Sequence, residues 1–191
     1  MADRVLDAVR AAKAANPSYK IVVTGYSLGA AVGTLAVAYI RNAGYAADLY
    51  TYGGPRVGNR AFVEFVTEQP GLEYRITHKD DPVPRLPPIF ANFRHTSPEF
   101  WIDPGSDSIV TLDEVDYCPG YSNTDCNGGT FGLNTASHGY YFQGLSGCAP
   151  EGMPWKRTTN DISDEELEAK LNMYAEMDRQ VASNLHAEGQ S

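Results

Sequence analysis

A serine between two glycines is the feature of this chain best suited to chemistry. Residues 25–29 read Gly-Tyr-Ser-Leu-Gly, between an apolar run at 21–24 and a run of small residues at 30–36. This order predicts a strand, a sharp turn and a helix, the arrangement of a nucleophile elbow. Both glycines are expected because larger side chains would collide where the backbone folds past itself. The motif predicts acyl transfer with Ser27 as the nucleophile, and a glycine-rich turn with a capping serine is the alternative.

A serine hydroxyl is a weak nucleophile near neutral pH, so it needs a histidine base and an acid that orients the histidine. On sheets with an elbow these groups follow in the order serine, acid, histidine. Asp80 and Asp81 both follow a predicted strand at 74–77, at the rim where such sheets bind ligands. Asp81 is favoured because Pro82 fixes the turn behind it and pushes Asp81 towards an extended conformation. The alternative is that both acids are ordinary solvated loop carboxylates.

Three histidines follow these acids in the chain. His95 lies in a segment that reads like a structural strand, and His186 lies in the terminal tail. His138 comes after a glycine-rich stretch and before an aromatic cluster at 140–142, so it is best placed at a loop end beside an apolar pocket. We therefore predict His138 as the base, with a packed structural histidine as the alternative.

The elements that must position these residues can be predicted from periodicity. Apolar spacing indicates a helix over 3–15, and the elbow strand is predicted at 19–24. The elbow helix then runs to about Asn42, and a second strand follows at 49–52. Strand, helix and strand at this spacing form a parallel βαβ unit with a right-handed crossover.

Downstream of this unit the pattern becomes more broken. Asn59 is a candidate N-cap for a short helix that ends at the Pro-Gly pair 70–71. A third strand is predicted at 74–77. Short β-like segments at 100–102 and 109–112 predict that the far edge of the sheet turns antiparallel.

The last segment, 149–191, is acidic, with a net charge of −5 out of −9 for the chain. Ser163 and Glu166 form a candidate capping box, and apolar residues follow at near-helical spacing. An amphipathic helix is predicted, packed on the domain or on a second copy of the chain. Its acidic polar face argues against a membrane-surface role.

Composition places limits on the function. The length of 191 residues and the 42% hydrophobic content allow one domain with a sizeable core. The negative net charge argues against a nucleic-acid partner. No apolar stretch is long enough for a spanning helix, and the first residues lack the layout of a secretory signal peptide.

Three cysteines leave two readings open. Cys118 and Cys126 flank a turn-rich loop and would close a small disulfide ring in an oxidising compartment, whereas all three would be inert thiols in a reducing one. No histidine or further cysteine stands at ligand spacing beside them, so no metal is predicted. No cofactor is predicted either.

Four segments together resemble the secreted fungal class 3 lipases, a family that includes mono- and diacylglycerol lipases and feruloyl esterases. The match covers about residues 3–148. The segments are 23–29 (Val-Thr-Gly-Tyr-Ser-Leu-Gly), 52–59 (Tyr-Gly-Gly-Pro-Arg-Val-Gly-Asn), 75–88 with its Val-Pro-Arg-Leu-Pro-Pro end, and 95–101 (His-Thr-Ser-Pro-Glu-Phe-Trp).

The resemblance implies a role for each matching residue. The triad would be Ser27, Asp81 and His138, and the backbone amide of Leu28 would be one oxyanion donor. Loop 118–132 looks more like the partial-glyceride lipase branch than the feruloyl branch. The residues implied to line or border the acyl pocket are Tyr26, Val83, Leu86 and Gly139.

The implied activity is that of an extracellular serine ester hydrolase. It would cleave acylglycerols at a lipid–water interface through an acyl-enzyme, without a cofactor. A feruloyl esterase acting on plant cell-wall esters is the alternative within the family.

The chain departs from the family pattern at its start. Family members carry several strands, a lid and a second oxyanion donor upstream of the elbow strand, whereas one helix precedes it here. We therefore expect the C-terminal part of an α/β-hydrolase fold over 1–148, a mostly parallel sheet with flanking helices, followed by the acidic helical tail 149–191. The family partner of Cys148 would lie in a missing upstream segment. A truncated, catalytically impaired fragment is thus a further alternative, and the elbow strand would lie at an open hydrophobic edge.

Overall fold

The computed structural model describes residues 2–103, 110–145 and 162–189. A five-stranded sheet in the order β1-β2-β3-β4-β5 forms its centre. The strands are β1 (Ile21–Tyr26), β2 (Ala47–Tyr52), β3 (Glu73–His78), β4 (Glu99–Ile102) and β5 (Val115–Cys118), with a small hairpin of β6 (Tyr140–Tyr141) and β7 (Gln143–Gly144). The helices are α1 (Ala2–Ala15), α2 (Leu28–Asn42), α3 (Arg60–Glu68), α4 (Thr135–His138) and α5 (Asp164–Ala187).

The first half of the sheet is the predicted βαβ unit. Strand β1 pairs in parallel with β2, and Ile21 lies opposite Ala47. Helix α2 packs on these strands through a core in which Val37, Leu49 and Val66 are fully buried. The prediction of a parallel sheet with flanking helices is therefore confirmed.

The far edge of the sheet is antiparallel, as the pattern predicts. Strands β3 and β4 are parallel, and β4 pairs antiparallel with β5. The predicted strand at 109–112 is wrong in position, and residue 109 lies outside the described residues. Thr111 and Glu114 form a capping box around a 3-10 turn, so the backbone turns there and the strand begins only at Val115.

Strand β1 is the other edge of the sheet, and apolar residues next to it are exposed. Val22 on this strand is 56% exposed. On α2, four large apolar side chains at helical spacing are also exposed. These are Leu28, Val32, Leu35 and Tyr39.

A disulfide joins Cys118 to Cys126 and closes a ring of turns at the end of β5. The structure thus agrees with the prediction that Cys118 and Cys126 pair in an oxidising compartment. Cys148, for which an upstream partner is expected, lies outside the described residues. In the part of the chain that is described, no helix has the length and apolar character needed to cross a membrane.

Helix α5 packs on the sheet domain rather than projecting from it. Ser163 and Glu166 form the predicted capping box at its start. Its buried stripe consists of Leu171, Ala175, Asp178 and Ala182. A carboxylate in the middle of this stripe is not part of the predicted amphipathic pattern.

Asp178 forms a buried ion pair with Arg56, which lies in the loop after β2. The distance between Arg56 Nη1 and Asp178 Oδ2 is 3.1 Å, and both side chains are almost inaccessible. The same guanidinium donates to the carbonyls of Arg85 and Pro87, in the loop after β3. Burial lowers the pKa of Arg56 to about 10, while the charge of Asp178 opposes that shift. Asp178 therefore stabilises a cation that lies deep between two loops.

Replacing Asp178 with alanine is expected to lower the free energy of unfolding by about 3–5 kcal/mol, because it leaves the buried charge of Arg56 without its partner. Urea unfolding measures the difference. Glu176→Ala is the matched control, since Glu176 is an exposed carboxylate on the same helix. Equal stabilities of the two variants would contradict this account.

Candidate active site

The turn between β1 and α2 has the backbone of a nucleophile elbow. Ser27 adopts φ 55° and ψ −126°, a strained conformation for a residue with a side chain. A Cβ atom at Gly25 would lie 2.3 Å from the carbonyl oxygen of Gly29, so Gly25 must be glycine. At Gly29 nothing lies within 4 Å of an added Cβ. The predicted steric reason is confirmed for Gly25 and wrong for Gly29.

Ser27, His138 and Asp81 form one hydrogen-bonded chain at the carboxyl ends of the parallel strands. The Ser27 hydroxyl is 2.9 Å from His138 Nε2, and His138 Nδ1 is 2.8 Å from Asp81 Oδ2. Asp81 is inaccessible and His138 is nearly so. With Nδ1–H donating to Asp81, Nε2 is the nitrogen that can accept the Ser27 proton.

Asp81 is held by several donors besides the histidine. The Tyr141 hydroxyl donates to Oδ2 at 2.5 Å, and the Val83 backbone N–H donates to Oδ1 at 2.9 Å. The Asn127 side-chain amide donates to the Asp81 carbonyl at 3.0 Å. Burial, together with the negative charge of Asp81, raises the pKa of Tyr141 well above its usual value. Tyr141 therefore remains a donor, and the acid is fixed in place as a carboxylate acceptor.

Tyr26 supports the base from the other side. Its hydroxyl donates to the His138 carbonyl at 2.7 Å, and its ring stacks on the imidazole with centroids 4.9 Å apart. Burial, followed by the charge of Asp81, raises the pKa of Tyr26. The sequence predicts that Tyr26 lines an acyl pocket, and the structure shows that it contacts His138.

The other expected pocket residues lie near Asp81 or His138 in the sequence. Val83 begins a 3-10 turn two residues after Asp81, and Leu86 is the C-cap of that turn. Gly139 follows His138 as the C-cap of α4. A role for these residues and Tyr26 in binding an acyl chain remains a prediction.

Leu28 is the first residue of α2, so its backbone N–H belongs to the first turn, where N–H groups have no intrahelical acceptor. The N-terminal end of this 15-residue helix also carries partial positive charge. Both properties favour a developing oxyanion beside Ser27. Across the described residues, no group of three or more His, Cys, Asp or Glu side chains is arranged to hold a metal ion.

His95 is placed away from the nucleophile and contacts the loop after Asp81. Its Nε2 is 2.7 Å from the Pro84 carbonyl. Burial, together with the charges of Arg75 and Arg56, lowers the pKa of His95 well below 6.5. His95 is therefore neutral in the folded chain and donates a structural hydrogen bond to Pro84. The segment around it does not form the predicted strand and contains only an isolated β-bridge at Arg94.

This lowered pKa predicts a pH dependence of stability. Below pH 6.5 the unfolded chain binds a proton at His95 that the folded chain does not, so stability falls as pH decreases. In His95→Gln the slope of unfolding free energy against pH is expected to be smaller by up to about 1.4 kcal/mol per pH unit. Urea unfolding between about pH 5 and 7.5 tests this. His186→Gln is the control, and equal slopes for the two variants would refute the prediction.

Several residues around the triad were not found from the sequence. Two adjacent acids at 80 and 81 looked like alternatives, yet both contact the segment that bears His138. Asn134 stands directly before α4, and asparagine at that position is a recognisable N-cap signal. The residues that the sequence did not single out are Asn127, Asn134, Ser137 and Tyr141, and Asp80 was considered only as an alternative triad acid.

The mostly parallel sheet, the serine elbow at its carboxyl rim and the order serine, aspartate, histidine define an α/β-hydrolase fold. A family model described as lipase (class 3) matches residues 1–91. This match agrees with the similarity to the fungal class 3 lipase family that the motifs predict.

Named relatives support this assignment. The chain is 55% identical over 186 residues to secreted mono- and diacylglycerol lipase 1 of Fusarium solani, covering 97% of this chain and 55% of the relative. It is 39% identical over 160 residues to secreted mono- and diacylglycerol lipase A of Penicillium cyclopium, covering 81% of this chain and 52% of that protein. The chain spans about half the length of the curated relatives it matches.

The crystal structure of the mono- and diacylglycerol lipase from Aspergillus oryzae superposes with a TM-score of 0.70 at 43% identity. The aligned part covers 75% of this chain and 55% of that structure. The fold is therefore shown by similarity as well as by topology.

Proposed function

We propose that this chain hydrolyses acylglycerol esters through an acyl-enzyme on Ser27. The observation that carries the proposal is the unbroken hydrogen-bonded chain from Ser27 through His138 to Asp81. The names of the Fusarium, Penicillium and Aspergillus relatives support mono- and diacylglycerols as the substrate class. The exposed apolar side chain of Leu28 beside Ser27 is consistent with an acyl substrate at a lipid–water interface.

The proposed reaction has two steps that share one base. Ser27 Oγ attacks the ester carbonyl carbon while His138 Nε2 accepts its proton, and Asp81 stabilises the resulting imidazolium. The tetrahedral oxyanion accepts a hydrogen bond from the Leu28 N–H. His138 then gives the proton to the departing glycerol oxygen, which leaves an acyl group on Ser27. In the second step His138 accepts a proton from water, the hydroxyl attacks the acyl carbon, and the released Ser27 recovers its proton.

An extracellular location is part of the proposal. Both the Fusarium and the Penicillium relatives are named as secreted lipases. The disulfide between Cys118 and Cys126 is typical of proteins that fold in an oxidising compartment.

Two measurements on the purified chain test the proposed activity. Fatty acid release from a monoacylglycerol is expected, with hydrolysis of medium- and long-chain p-nitrophenyl esters. A p-nitrophenyl phosphonate should label Ser27 stoichiometrically, as located by peptide mass spectrometry. Faster hydrolysis of methyl ferulate than of monoacylglycerol would favour an aromatic-ester specialist, and no labelling of Ser27 together with no turnover would refute the proposal.

A further inference from the structure

Asp80, the neighbour of the triad acid, contacts the segment that bears the base. One of its oxygens, Oδ1, accepts a hydrogen bond from the Ser137 hydroxyl at 2.8 Å. The same oxygen accepts from the Asn134 side-chain amide at 2.9 Å. Both bonds have an ionised acceptor, which makes them stronger than bonds between neutral groups. Asp80 thus binds Asn134, which caps the turn of His138, and Ser137, which directly precedes His138.

The turn itself is too short to be stable alone. Helix α4 has four residues, and His138 is its last. Isolated helices of such length do not form in water, because fixing the backbone of the first turn costs more free energy than its hydrogen bond provides. Asn134 caps α4 by accepting from the backbone N–H groups of Ala136 and Ser137 at 3.2 and 3.3 Å. Asp80 in turn orients that cap, so the helix depends on a contact from outside it.

Other groups at the end of β3 complete the attachment. His78 Nδ1 is 3.0 Å from the Ser137 carbonyl. Asp81 binds the imidazole of His138, whereas Asp80 binds the polypeptide that bears it. Burial lowers the pKa of Arg85, and the charges of Asp80 and Asp81 oppose that lowering, so this cation lies within electrostatic reach of both acids. The loop after β3 therefore controls both the ring and the backbone of the base.

We propose that Asp80 is a positioning residue for the proposed hydrolysis. Its carboxylate clamps Asn134 and Ser137, and this clamp sets the distance between His138 Nε2 and Ser27 Oγ. The expected effect of Asp80 on turnover rests on the proposed function. The clamp itself concerns only the geometry of the His138–Asp81 pair.

The main test compares Asp80→Ala with Asp80→Asn. Alanine removes both hydrogen bonds, and a small displacement of a base costs about 10- to 100-fold in kcat. We expect that loss with KM changed less than about twofold, since substrate contacts are untouched. Asparagine keeps an acceptor oxygen of the same size and is expected to restore most of the loss. Asp125→Ala, at an exposed acid outside the site, is the matched control.

A second readout does not depend on turnover. In protein labelled with nitrogen-15 histidine, the proton between His138 Nδ1 and Asp81 gives a resonance that can be assigned by its absence from His138→Gln. This resonance is expected to persist in wild type, Asp80→Asn and Asp125→Ala, and to be lost by exchange in Asp80→Ala. If Asp80→Ala fails to fold, Ser137→Ala takes its place and should show a smaller loss of the same kind.

The outcomes separate the two claims. If the wild-type chain shows no turnover, the proposed activity is refuted. If its resonance is nevertheless lost in Asp80→Ala, the clamp is supported. An active wild type with Asp80→Ala equal to Asp125→Ala in kcat and in the resonance would overturn the clamp alone. An equal loss of kcat in Asp80→Asn and Asp80→Ala would also overturn the clamp, because an acceptor oxygen at position 80 would then not restore turnover.

Discussion

Replacing Ser27 with alanine is expected to lower kcat for ester hydrolysis about 10⁶-fold, to the residual rate that substrate binding and the oxyanion donor alone supply. The variant loses the atom that forms the acyl-enzyme, and His138 then has no proton to accept. Initial rates with p-nitrophenyl esters measure the loss. Stability should not fall, because alanine at φ 55° is no more strained than serine and the removed hydroxyl bonds only to His138 in the described structure.

Ser18→Ala is the control for this variant, since Ser18 is an exposed serine in the loop before β1. It should retain wild-type turnover and wild-type phosphonate labelling. Residual activity of Ser27→Ala above about one thousandth of the wild-type rate would indicate a different nucleophile and would remove the basis of the proposed mechanism.

Replacing Asp81 with asparagine is expected to lower kcat about 10⁴-fold. Val83 N–H donates to Oδ1, while the Tyr141 hydroxyl and His138 Nδ1 both donate to Oδ2. Asparagine has one acceptor oxygen and cannot serve both sides. Whenever its NH₂ group faces His138, Nδ1 must accept, Nε2 carries the proton, and the base cannot take the proton of Ser27.

Steady-state rates of Asp81→Asn across a range of pH measure this effect. Asp125→Asn removes an exposed carboxylate outside the site and should leave kcat unchanged. A loss smaller than about tenfold in Asp81→Asn would mean that another acid orients His138. Asp80 would then be the residue to examine, because it is the other acid in contact with α4.

The parts of the site that follow local rules could be predicted from the sequence. The elbow depends on residues adjacent in the chain, and Gly25 is needed for a contact only four residues away. Ser27 and Asp81 each follow a parallel strand, and the carboxyl ends of parallel strands meet at one rim of the sheet. The Asn59 cap of α3 was equally local.

The parts that failed depend on contacts between distant segments or on competing local geometry. The strand at 109–112 was predicted from β propensity, but a Thr111–Glu114 capping box turns the chain there. The carboxylate of Asp178 looked like part of the solvated face of a helix, because nothing near it in sequence reveals that Arg56 is its partner. Asp80 was treated as a rival of Asp81, since sequence spacing cannot show that one carboxylate faces an imidazole and its neighbour faces a backbone turn.

The pairing of Arg56 with Asp178 has a consequence for the order in which the protein is made. The two residues are separated by 122 positions, so Arg56, which also binds the loop after β3, lacks the carboxylate of Asp178 until α5 has left the ribosome. Contacts of such separation are slow to form, because a long loop must close first. The nascent chain can assemble β1 to β3 early, but Arg56 reaches its final environment only after α5 has been synthesised.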